Sequence, residues 1–214
     1  MERLLETIME KTFTAADFWN ERFQDKDYIY GEEANDFLSD NAKLFKSGDA
    51  VLSLGEGEGR NIVFLAELGC QTKGVDFSKT GRDKALKLAS KRNVKIDYDI
   101  ADISTYPMGK NEWNSIISIF YPISENIRIP LFQYIKNALK PGGIFLLESY
   151  NKKQLDFDTG GPKDITHLIS LNELTDNFKG FEIILAQDIV RNIQEGAHHN
   201  GLSSVSQFIA RKPI

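Results

Sequence analysis

Glycines alternate through residues 55–59, directly after the apolar run 51–54. Because glycine lacks a Cβ atom, a ligand can approach the backbone of such a loop closely, and a helix that begins at position 60 or 61 would turn its free N–H groups toward that ligand. Asp76 closes the next strand-like segment, residues 71–76, where a carboxylate can accept hydrogen bonds from both hydroxyls of a ribose. The combination predicts a nucleoside site rather than a tight turn without a ligand.

The spacing of these glycines also indicates which nucleoside cofactor fits. A dinucleotide-binding loop has its third glycine one position later, where Arg60 stands in this chain. The carboxylates of Glu56 and Glu58 would repel a pyrophosphate, but they suit a cofactor that carries a sulfonium and an amino group. The sequence therefore favours S-adenosyl-L-methionine over NAD.

The composition indicates one folded domain in a reducing compartment. Hydrophobic residues make up 41% of the 214 positions, and no linker rich in proline or serine divides them. A net charge of -5 does not provide the basic surface that nucleic-acid binding needs. The single cysteine, Cys70, cannot form an internal disulfide, and residues 1–11 do not resemble an export signal. We expect a cytoplasmic protein without nucleic-acid or membrane partners, and a monomer because no exposed apolar stripe is recognisable.

Strand-like and helix-like segments alternate along the chain, which is typical of right-handed crossovers around a parallel sheet. The predicted strands are 50–54, 72–76, 94–98, 113–120 and 144–150. The predicted helices are 61–68, 78–91 with Ser78 as its cap, 130–139 with Pro130 in its first turn, and 170–178 after a capping box. These elements predict an α/β layered fold.

The last two strand-like runs, 181–193 and 202–211, are joined by a glycine-containing loop of residues 194–201. This loop is too short for a crossover helix, so the two strands are predicted to pair antiparallel. A dinucleotide-binding domain would continue with parallel units instead. The end of the chain thus agrees with the glycine spacing in disfavouring NAD.

Several short segments carry a resemblance to a known family. They are residues 19–23, 28–31, 54–61, 139–143, 160–163 and 195–201. In these segments the chain resembles class I S-adenosylmethionine-dependent methyltransferases, in particular the small bacterial tellurite-resistance and thiopurine-type group. The resemblance implies a Rossmann-like three-layer αβα sandwich with a seven-stranded, mostly parallel sheet of order 3-2-1-4-5-7-6 and an antiparallel last strand. It also implies one domain, in which residues 1–45 form a helical cover over the cofactor site and residues 46–214 form the core.

The resemblance implies contacts with each part of the cofactor. They are Gly55, Glu56 and Gly57 for the methionine part, Asp76 and Phe77 for the ribose and adenine, Asp99 and Ile100 for the adenine edge, and Ile119 for the sulfonium. At the adenine edge, Asp102 is a near competitor of Asp99. The implied cover residues are Trp19, Arg22 and Tyr30, with Arg22 pairing with the cofactor carboxylate.

Methyl transfer needs chiefly the alignment of an acceptor with an activated methyl group, and a general base only where the acceptor carries a proton. His199 is the leading candidate for this base, and an exposed hairpin histidine is the alternative. Tyr121 and Glu148 are candidate residues of the acceptor pocket; packing and a bond to a nearby loop are their alternatives. The expected acceptor is a small molecule, namely a thiol, a chalcogen oxyanion or a small metabolite.

Two other functions compete with this hypothesis. A non-catalytic S-adenosylmethionine-binding module is an open alternative, because the fold alone does not imply catalysis. An NAD-dependent oxidoreductase is disfavoured, since the Tyr-x-x-x-Lys match at residues 106–110 contains Pro and Gly and cannot form one helix face. The histidines and the cysteine lack a recognised ligand spacing, so we expect no metal.

Overall fold

The computed structural model describes residues 14–197 and 199–214. Its α-helices are α1 (Ala15–Arg22), α2 (Asp36–Asp40), α3 (Arg60–Glu67), α4 (Lys79–Lys91), α5 (Glu125–Ala138) and α6 (Leu171–Asn177). Its strands are β1 (Ala50–Leu54), β2 (Gln71–Asp76), β3 (Asp97–Ile100), β4 (Trp113–Ile119), β5 (Leu139–Tyr150), β6 (Glu182–Gln194) and β7 (Asn200–Arg211). Short 3₁₀ helices lie at Ala42–Leu44, Lys152–Asp156 and Ile165–His167.

The strands form one seven-stranded sheet in the order β3-β2-β1-β4-β5-β7-β6. Strands β1 to β5 pair parallel, whereas β7 pairs antiparallel with both β5 and β6. The residues of β1 and β4 are buried almost without interruption, as expected for a parallel sheet that is covered on both faces. The predicted Rossmann-like fold, its strand order and its antiparallel last strand are confirmed.

Neighbouring residues of the central strands pack on opposite faces of the sheet. Leu52 of β1 belongs to the same apolar cluster as Phe132 of α5 and Leu174 of α6. Its neighbour Val51 belongs to a second cluster, which contains Leu65 of α3. Successive side chains of a strand point to opposite faces, so these two clusters mark the two helical layers of the sandwich.

Two predicted helix starts depend on local side-chain caps. Ser78 accepts a hydrogen bond from the Gly81 N–H at 2.9 Å and caps α4 as predicted. Ser170 accepts from the Glu173 N–H at 3.2 Å and caps α6. The Glu173 carboxylate, however, pairs with Arg128 of α5 at 2.6 Å. A tertiary ion pair therefore takes the glutamate that the predicted capping box would have used.

The third strand was predicted at 94–98, but pairing covers Asp97–Ile100. Val94 donates its N–H to the Ala89 carbonyl at 3.0 Å, which closes the end of α4. The first residue free to pair is Asp97, which lies beside Lys73 of β2. The predicted strand therefore starts too early, because Val94 belongs to the end of α4 and strand pairing begins only at Asp97.

The helix predicted to start around Pro130 begins earlier, at Glu125. Its first turns are held by Arg128, which is buried and donates to the Ile123 carbonyl at 2.5 Å as well as pairing with Glu173. Proline removes one backbone donor, and these side-chain bonds anchor the turn that precedes it. The fifth strand also begins earlier, because Leu139 already pairs with β4 across a register shift.

Of the predicted N-terminal cover, residues 14–45 are described and contain α1 and α2. The side-chain oxygen of Asn20 on α1 accepts from the Ser78 hydroxyl at 2.9 Å and from the Thr80 N–H at 3.0 Å, which docks α1 onto the start of α4. The expectation that residues 1–11 are not an export signal lies outside the described residues. Within 14–197 and 199–214, no helix is long and apolar enough to cross a bilayer.

Candidate functional site

A cavity of about 740 Å³ opens at the carboxyl ends of β1, β2, β4 and β5. This edge of a parallel sheet is where such folds bind ligands, and the volume lies in the range of small-molecule sites. We call the part lined from within 55–61, 76 and 77 the β1–β2 side. The β4–β5 side is lined from 119–122, 149–150, 158–162, 167, 197, 199 and 200. Residues of α1 and of the segment after it form the remaining wall.

The loop after β1 presents backbone to the cavity. Gly55 has a positive φ of 68°, and a Cβ atom at this position would collide with the ring of Tyr121. The Gly57 N–H donates to the Asp76 carboxylate at 3.1 Å, which joins the ends of β1 and β2. Glycine tolerates this left-handed conformation and close approach, so the β1–β2 side stays free of side chains at Gly55.

Glu56 lines the cavity, but its carboxylate is turned toward the start of α3. It accepts hydrogen bonds from the N–H groups of Asn61 at 3.1 Å and Ile62 at 3.2 Å, and from the Ser53 hydroxyl. Gly59, which precedes α3, has no side chain to cap the helix, so Glu56 supplies the cap. Burial raises the pKa of Glu56 to about 7, although these hydrogen bonds oppose the rise. Glu56 therefore offers a ligand its backbone rather than its carboxylate.

Asp76 ends β2 and lines the cavity, with 8% of its surface exposed. Its carboxylate accepts hydrogen bonds from the N–H groups of Gly57 at 3.1 Å and Ser78 at 2.9 Å. Burial raises the pKa of Asp76 to about 6, and the backbone hydrogen bonds oppose that rise. The carboxylate keeps lone pairs for further donors, such as the hydroxyls of a ligand. Phe77 lines the cavity beside it.

Asp99 and Ile100 do not line the cavity. The Asp99 carboxylate accepts from the Tyr106 hydroxyl at 2.6 Å and from the Lys73 ammonium at 3.3 Å. The hydrogen bond from Tyr106 lowers the pKa of Asp99. Ile100 is 43% exposed to solvent. The adenine-edge position that the sequence resemblance implied is therefore engaged with its own strand neighbours.

Tyr121, by contrast, lies in the cavity against Gly55. Burial raises the pKa of its hydroxyl, and the charges of Asp76 and Asp102 add to the rise. Asp102 is exposed and, like Asp99, does not line the cavity; its carboxylate accepts from the Ser104 N–H at 2.8 Å. Both competitors for the adenine edge therefore lie outside the cavity lining.

Trp19, Arg22 and Tyr30 all line the cavity from the N-terminal segment. The Arg22 guanidinium lies 5.9 Å from the centre of the Trp19 ring, within cation–π range. The Tyr30 N–H donates to the Glu58 carboxylate at 3.3 Å. Glu58 is buried and also pairs with Lys84 of α4. One carboxylate of the glycine loop therefore ties the cover to the helix after β2.

Ile119 and Phe120, at the end of β4, lie where the two sides of the cavity meet. Phe120 has a φ of 49°, a left-handed conformation that costs a bulky residue about 1–3 kcal/mol. Its N–H donates to the Glu148 carbonyl at 2.8 Å, which holds the turn in place. Such strain is typical of functional sites, and no sequence pattern announced it.

His199 is 8% exposed and lines the β4–β5 side. Its ring centre lies 4.3 Å from that of Tyr30, 4.6 Å from that of Phe120 and 5.8 Å from that of Tyr150. Its carbonyl accepts from the Glu195 N–H at 2.8 Å, which closes the loop between β6 and β7. The alternative of a solvent-exposed hairpin histidine is therefore wrong for His199, while its neighbour at position 198 lies outside the described residues.

Glu148 does not reach the cavity, contrary to its predicted place in an acceptor pocket. Its side chain is fully buried and pairs with Arg191 of β6 at 2.8 Å. It also accepts from the side-chain amides of Gln207 at 2.7 Å and Asn35 at 2.6 Å. A buried carboxylate needs such partners, and they occupy both of its oxygens. The alternative of a structural bond applies to Glu148.

The ion pairs extend from Glu148 to the hairpin loop. Glu195 is buried and pairs with Arg191 at 2.6 Å and with Arg60 at 2.6 Å. Arg60 and Arg191, despite the burial of Glu195, lower the pKa of that carboxyl. We call Glu148, Glu195, Arg60 and Arg191 the buried ion network. Arg191 and Glu195 are four positions apart, but Arg60 and Glu148 are remote from them in the sequence, so spacing could not have revealed the network.

Arg60 is a cavity residue that sequence reasoning treated only as a departure from the dinucleotide loop. It is 6% exposed, and its Nη2 atom is held by Glu195. Its Nη1 atom is buried and has no hydrogen-bond partner within the described parts of the chain. A guanidinium in the lining of a cavity is suited to an anionic ligand group. Among the described residues, no group of three or more His, Cys, Asp or Glu side chains could hold a metal ion.

Comparisons with known proteins agree with this geometry. Residues 51–143 match the family described as a methyltransferase domain. Over 130 residues the chain is 28% identical to 2-heptyl-1-hydroxyquinolin-4(1H)-one methyltransferase from Mycobacteroides abscessus, a match that covers 58% of this chain and 57% of the relative. The chain thus spans little more than half the length of that relative.

Two solved structures share the fold. TehB from Haemophilus influenzae has a TM-score of 0.71 and 19% identity, and the match covers 92% of this chain and 66% of TehB. Phosphoethanolamine N-methyltransferase 2 from Haemonchus contortus, solved with phosphomonomethylethanolamine and S-adenosylhomocysteine, has a TM-score of 0.67 and 19% identity. That match covers 95% of this chain and 59% of the nematode protein. At these identities the structures establish the fold.

Proposed function

We propose that this chain, which has the class I S-adenosylmethionine-dependent methyltransferase fold and carries a methyltransferase domain, transfers a methyl group to a small-molecule acceptor. The observation that carries the proposal is that one cavity joins the glycine loop and Asp76 with His199 and Tyr121. A nucleoside cofactor on the β1–β2 side and an acceptor on the β4–β5 side would then meet at the end of β4.

The residues of the β1–β2 side fit S-adenosylmethionine. The carboxylate of Asp76 lines the cavity with acceptor capacity left for ribose hydroxyls. Gly55 lets the Tyr121 ring pack directly against the glycine loop, because a Cβ atom there would collide with that ring. The guanidinium groups of Arg60 and Arg22, residues that line this cavity, suit the carboxylate of the methionine part. These groups match S-adenosylmethionine without the pyrophosphate that NAD would carry.

The proposed contacts follow the cofactor from one end to the other. We assign Gly55 and Gly57, with the backbone of Glu56, to the methionine part, Asp76 and Phe77 to the ribose and adenine, and Ile119 to the sulfonium. The adenine edge goes to the segment 99–102, through Asp99 and Ile100 or through Asp102. Trp19, Arg22, Tyr30 and Arg60 are assigned to the cover and the carboxylate. Residues 1–45 would form the cover and 46–214 the core of one domain.

S-Adenosylmethionine, when bound, supplies a methyl carbon that is already activated toward displacement. The chain would then align the acceptor and exclude water, with Phe120 and Tyr121 at the meeting point of the two sides. His199 would hold the proton of an acceptor that carries one. We assign Tyr121 to positioning, because burial and two nearby carboxylates raise the pKa of its hydroxyl and keep it neutral.

The remaining expectations are part of the same proposal. We propose a monomer, because no exposed apolar stripe is recognisable in the sequence. We also propose a reducing, cytoplasmic setting, because the single cysteine, Cys70, is buried and burial raises the pKa of its thiol. The acidic composition supports a small molecule rather than nucleic acid as acceptor. Sedimentation of the purified protein would test the monomer directly.

Isothermal titration with S-adenosylhomocysteine tests the cofactor. We expect saturable binding that Asp76→Ala weakens by at least about tenfold, since a hydrogen bond to a charged group contributes about 1.5–3 kcal/mol. Asp97→Ala, which removes an exposed carboxylate from β3, is the matched control and should bind like the wild type. NADH should not bind. Preference for NADH, or equal weakening by both variants, would contradict the proposal.

A turnover assay separates an enzyme from a binding module. The purified protein is incubated with S-adenosylmethionine and an acceptor panel, and the formation of S-adenosylhomocysteine is measured. Acceptor-dependent product formation is expected. Tight cofactor binding without any acceptor-dependent product would favour the non-catalytic module.

A further inference from the structure

We infer that the acceptor is a planar, uncharged aromatic compound that carries a hydroxyl or thiol group, an inference that rests on the proposed methyl transfer. Its basis is the β4–β5 side of the cavity, which is the part left for an acceptor once the glycine loop and Asp76 hold the cofactor. The charge, the shape and the titratable groups of this side each narrow the class of compound.

The β4–β5 side lacks the cations that an anionic acceptor needs. None of its described lining residues is a lysine or an arginine. Arg22 and Arg60 line other walls, and Arg60 is held by Glu195. Lys163, which follows the lining segment, is 71% exposed in its side chain and does not line the cavity. An oxyanion or phosphate group would be desolvated here without a charged partner, which is unfavourable.

An ammonium group is no better accommodated. Glu148 and Glu195 are committed to the buried ion network. Asp158 lines the cavity, but its side chain is fully exposed to solvent and lies 4.0 Å from Lys163. Asp158 is the only carboxylate among the described lining residues of this side, so an ammonium group would lack a buried charged partner. This arrangement favours an uncharged acceptor.

The walls of this side are flat and aromatic. The rings of Phe120 and Tyr150 lie 4.7 Å apart at an angle of 38°. Gly161 packs against the Tyr150 ring so closely that a Cβ atom would lie 2.8 Å from it. With Tyr121 and Pro122 the lining presents mainly ring faces and a peptide plane, beside the branched side chains of Ile119 and Thr159. Such surfaces bind planar aromatic molecules best, through offset stacking and edge contacts.

The polar group of the acceptor follows from His199. It lines the aromatic wall, and an acceptor hydroxyl or thiol has a proton for the imidazole to take. In the proposed step the oxygen or sulfur of the acceptor forms the bond to the methyl carbon while the bond between that carbon and the donor sulfur breaks. The acceptor releases its proton to His199, which passes it to solvent. The positive charge lost at the donor sulfur leaves with this proton, so atoms and charge balance.

The test measures acceptor binding by isothermal titration of the protein saturated with S-adenosylhomocysteine. The probes are 2-naphthol and thiophenol, their saturated counterparts decahydro-2-naphthol and cyclohexanethiol, sodium tellurite, and phosphoethanolamine. We expect each aromatic compound to bind about tenfold or more tightly than its saturated counterpart, because each ring contact adds about 0.5–1.5 kcal/mol. Tellurite and phosphoethanolamine should bind more weakly than either aromatic compound.

Tyr150 provides the matched variants. Tyr150→Leu removes the ring and should weaken 2-naphthol binding about tenfold, whereas Tyr150→Phe keeps the ring and should bind it like the wild type. S-Adenosylhomocysteine affinity should stay unchanged in both, which also reports that they fold.

The outcomes separate the two levels of the argument. If S-adenosylhomocysteine itself does not bind, the proposed function fails. If it binds, but the aromatic compounds bind no more tightly than their saturated counterparts, or tellurite or phosphoethanolamine binds more tightly than they do, only the acceptor inference is overturned. Equal loss in Tyr150→Leu and Tyr150→Phe would overturn it as well, because the ring would then not be the recognised feature.

Discussion

The two sides of the cavity are built in different ways. The β1–β2 side comes largely from one continuous stretch. In it, backbone N–H groups of the glycine loop, of the start of α3 and of Ser78 donate hydrogen bonds to the carboxylates of Glu56 and Asp76. The β4–β5 side brings together Phe120, Tyr150 and His199, which are remote in sequence and meet through their side chains. The proposed cofactor site is thus formed by residues that are close in the sequence, whereas the proposed acceptor site depends on how loops that are remote in the sequence are placed.

The buried ion network connects these two sides. Arg60 begins α3, directly after the glycine loop, and pairs with Glu195 of the loop that carries His199. Glu148 and Arg191 fix the strands beneath that loop. The side built from distant parts therefore depends on buried charges, and the locally built side depends on backbone geometry. The predictions below test this contrast.

Loss of Glu148 should have the largest effect on stability. Glu148→Ala leaves Arg191 partly buried without its main partner, and we expect the free energy of unfolding to fall by about 3–5 kcal/mol. Asp36→Ala is the control, because the exposed Asp36 carboxylate binds the same arginine at 2.9 Å and should contribute only about 0–1 kcal/mol. Urea unfolding at pH 7 measures both. Equal losses would show that burial does not distinguish the two pairs.

Glu56 should make the stability of the β1–β2 side depend on pH. Its pKa is raised from 4.5 to about 7 in the folded chain, so its protonated form is favoured by folding. Its stabilising contribution is complete below its unfolded pKa and is lost as the pH rises through about 7, a change of about 3 kcal/mol. Compared with Glu56→Gln, the wild type should lose that much more stability between acidic and mildly alkaline pH. Parallel pH profiles of the two proteins would refute this assignment.

His199→Gln should separate catalysis from cofactor binding. The glutamine keeps polar groups but cannot take a proton at neutral pH, so we expect kcat for an aromatic hydroxyl acceptor to fall about a hundredfold. S-Adenosylhomocysteine affinity should stay within about twofold of the wild-type value, since the variant leaves the β1–β2 side intact. Asp97→Ala, at an exposed residue of β3 that does not line the cavity, is the control and should change kcat little. A large loss of S-adenosylhomocysteine affinity would contradict the prediction, because His199 would then contribute to cofactor binding as well.

Gly55→Ala tests the backbone design with the smallest expected change in stability. Gly55 and Gly48 both have positive φ, but a Cβ atom at Gly55 meets the Tyr121 ring while one at Gly48 meets nothing within 4 Å. We expect Gly55→Ala to lower the free energy of unfolding by about 1–3 kcal/mol more than Gly48→Ala does, and to weaken S-adenosylhomocysteine binding. Thermal unfolding and titration measure the pair. The idea fails if the two alanines behave alike.

Sequence patterns predicted the local elements well where short-range chemistry decides them. The strand-loop-helix unit around Gly55, the Ser78 cap and the antiparallel terminal pair depend on neighbouring residues. The patterns were wrong where a tertiary contact intervened. The start of α5 follows the buried Arg128, and β3 begins only after the end of α4 has used the preceding residues.

The candidate site divides along the same line. Cavity residues such as Asp76 and Phe77 follow a strand end, so their place could be predicted from spacing. Glu148 had the residue type and the strand position of an acceptor-pocket residue, but Arg191 and Gln207 enclose it. The sequence shows which groups are present, whereas their ion-pair partners come from strands that the sequence separates widely.

By itself, the sequence determined the alternation of strands and helices, the glycine loop with its acidic partner and the reversed last strand, because hydrophobic period, glycine spacing and loop length act over a few residues. Only the tertiary structure decided that Glu56 caps α3, that Arg60 and Glu195 join the loops, and that His199 lies among three aromatic rings. Those arrangements depend on burial, which removes water and makes each polar group find a partner wherever the fold brings one.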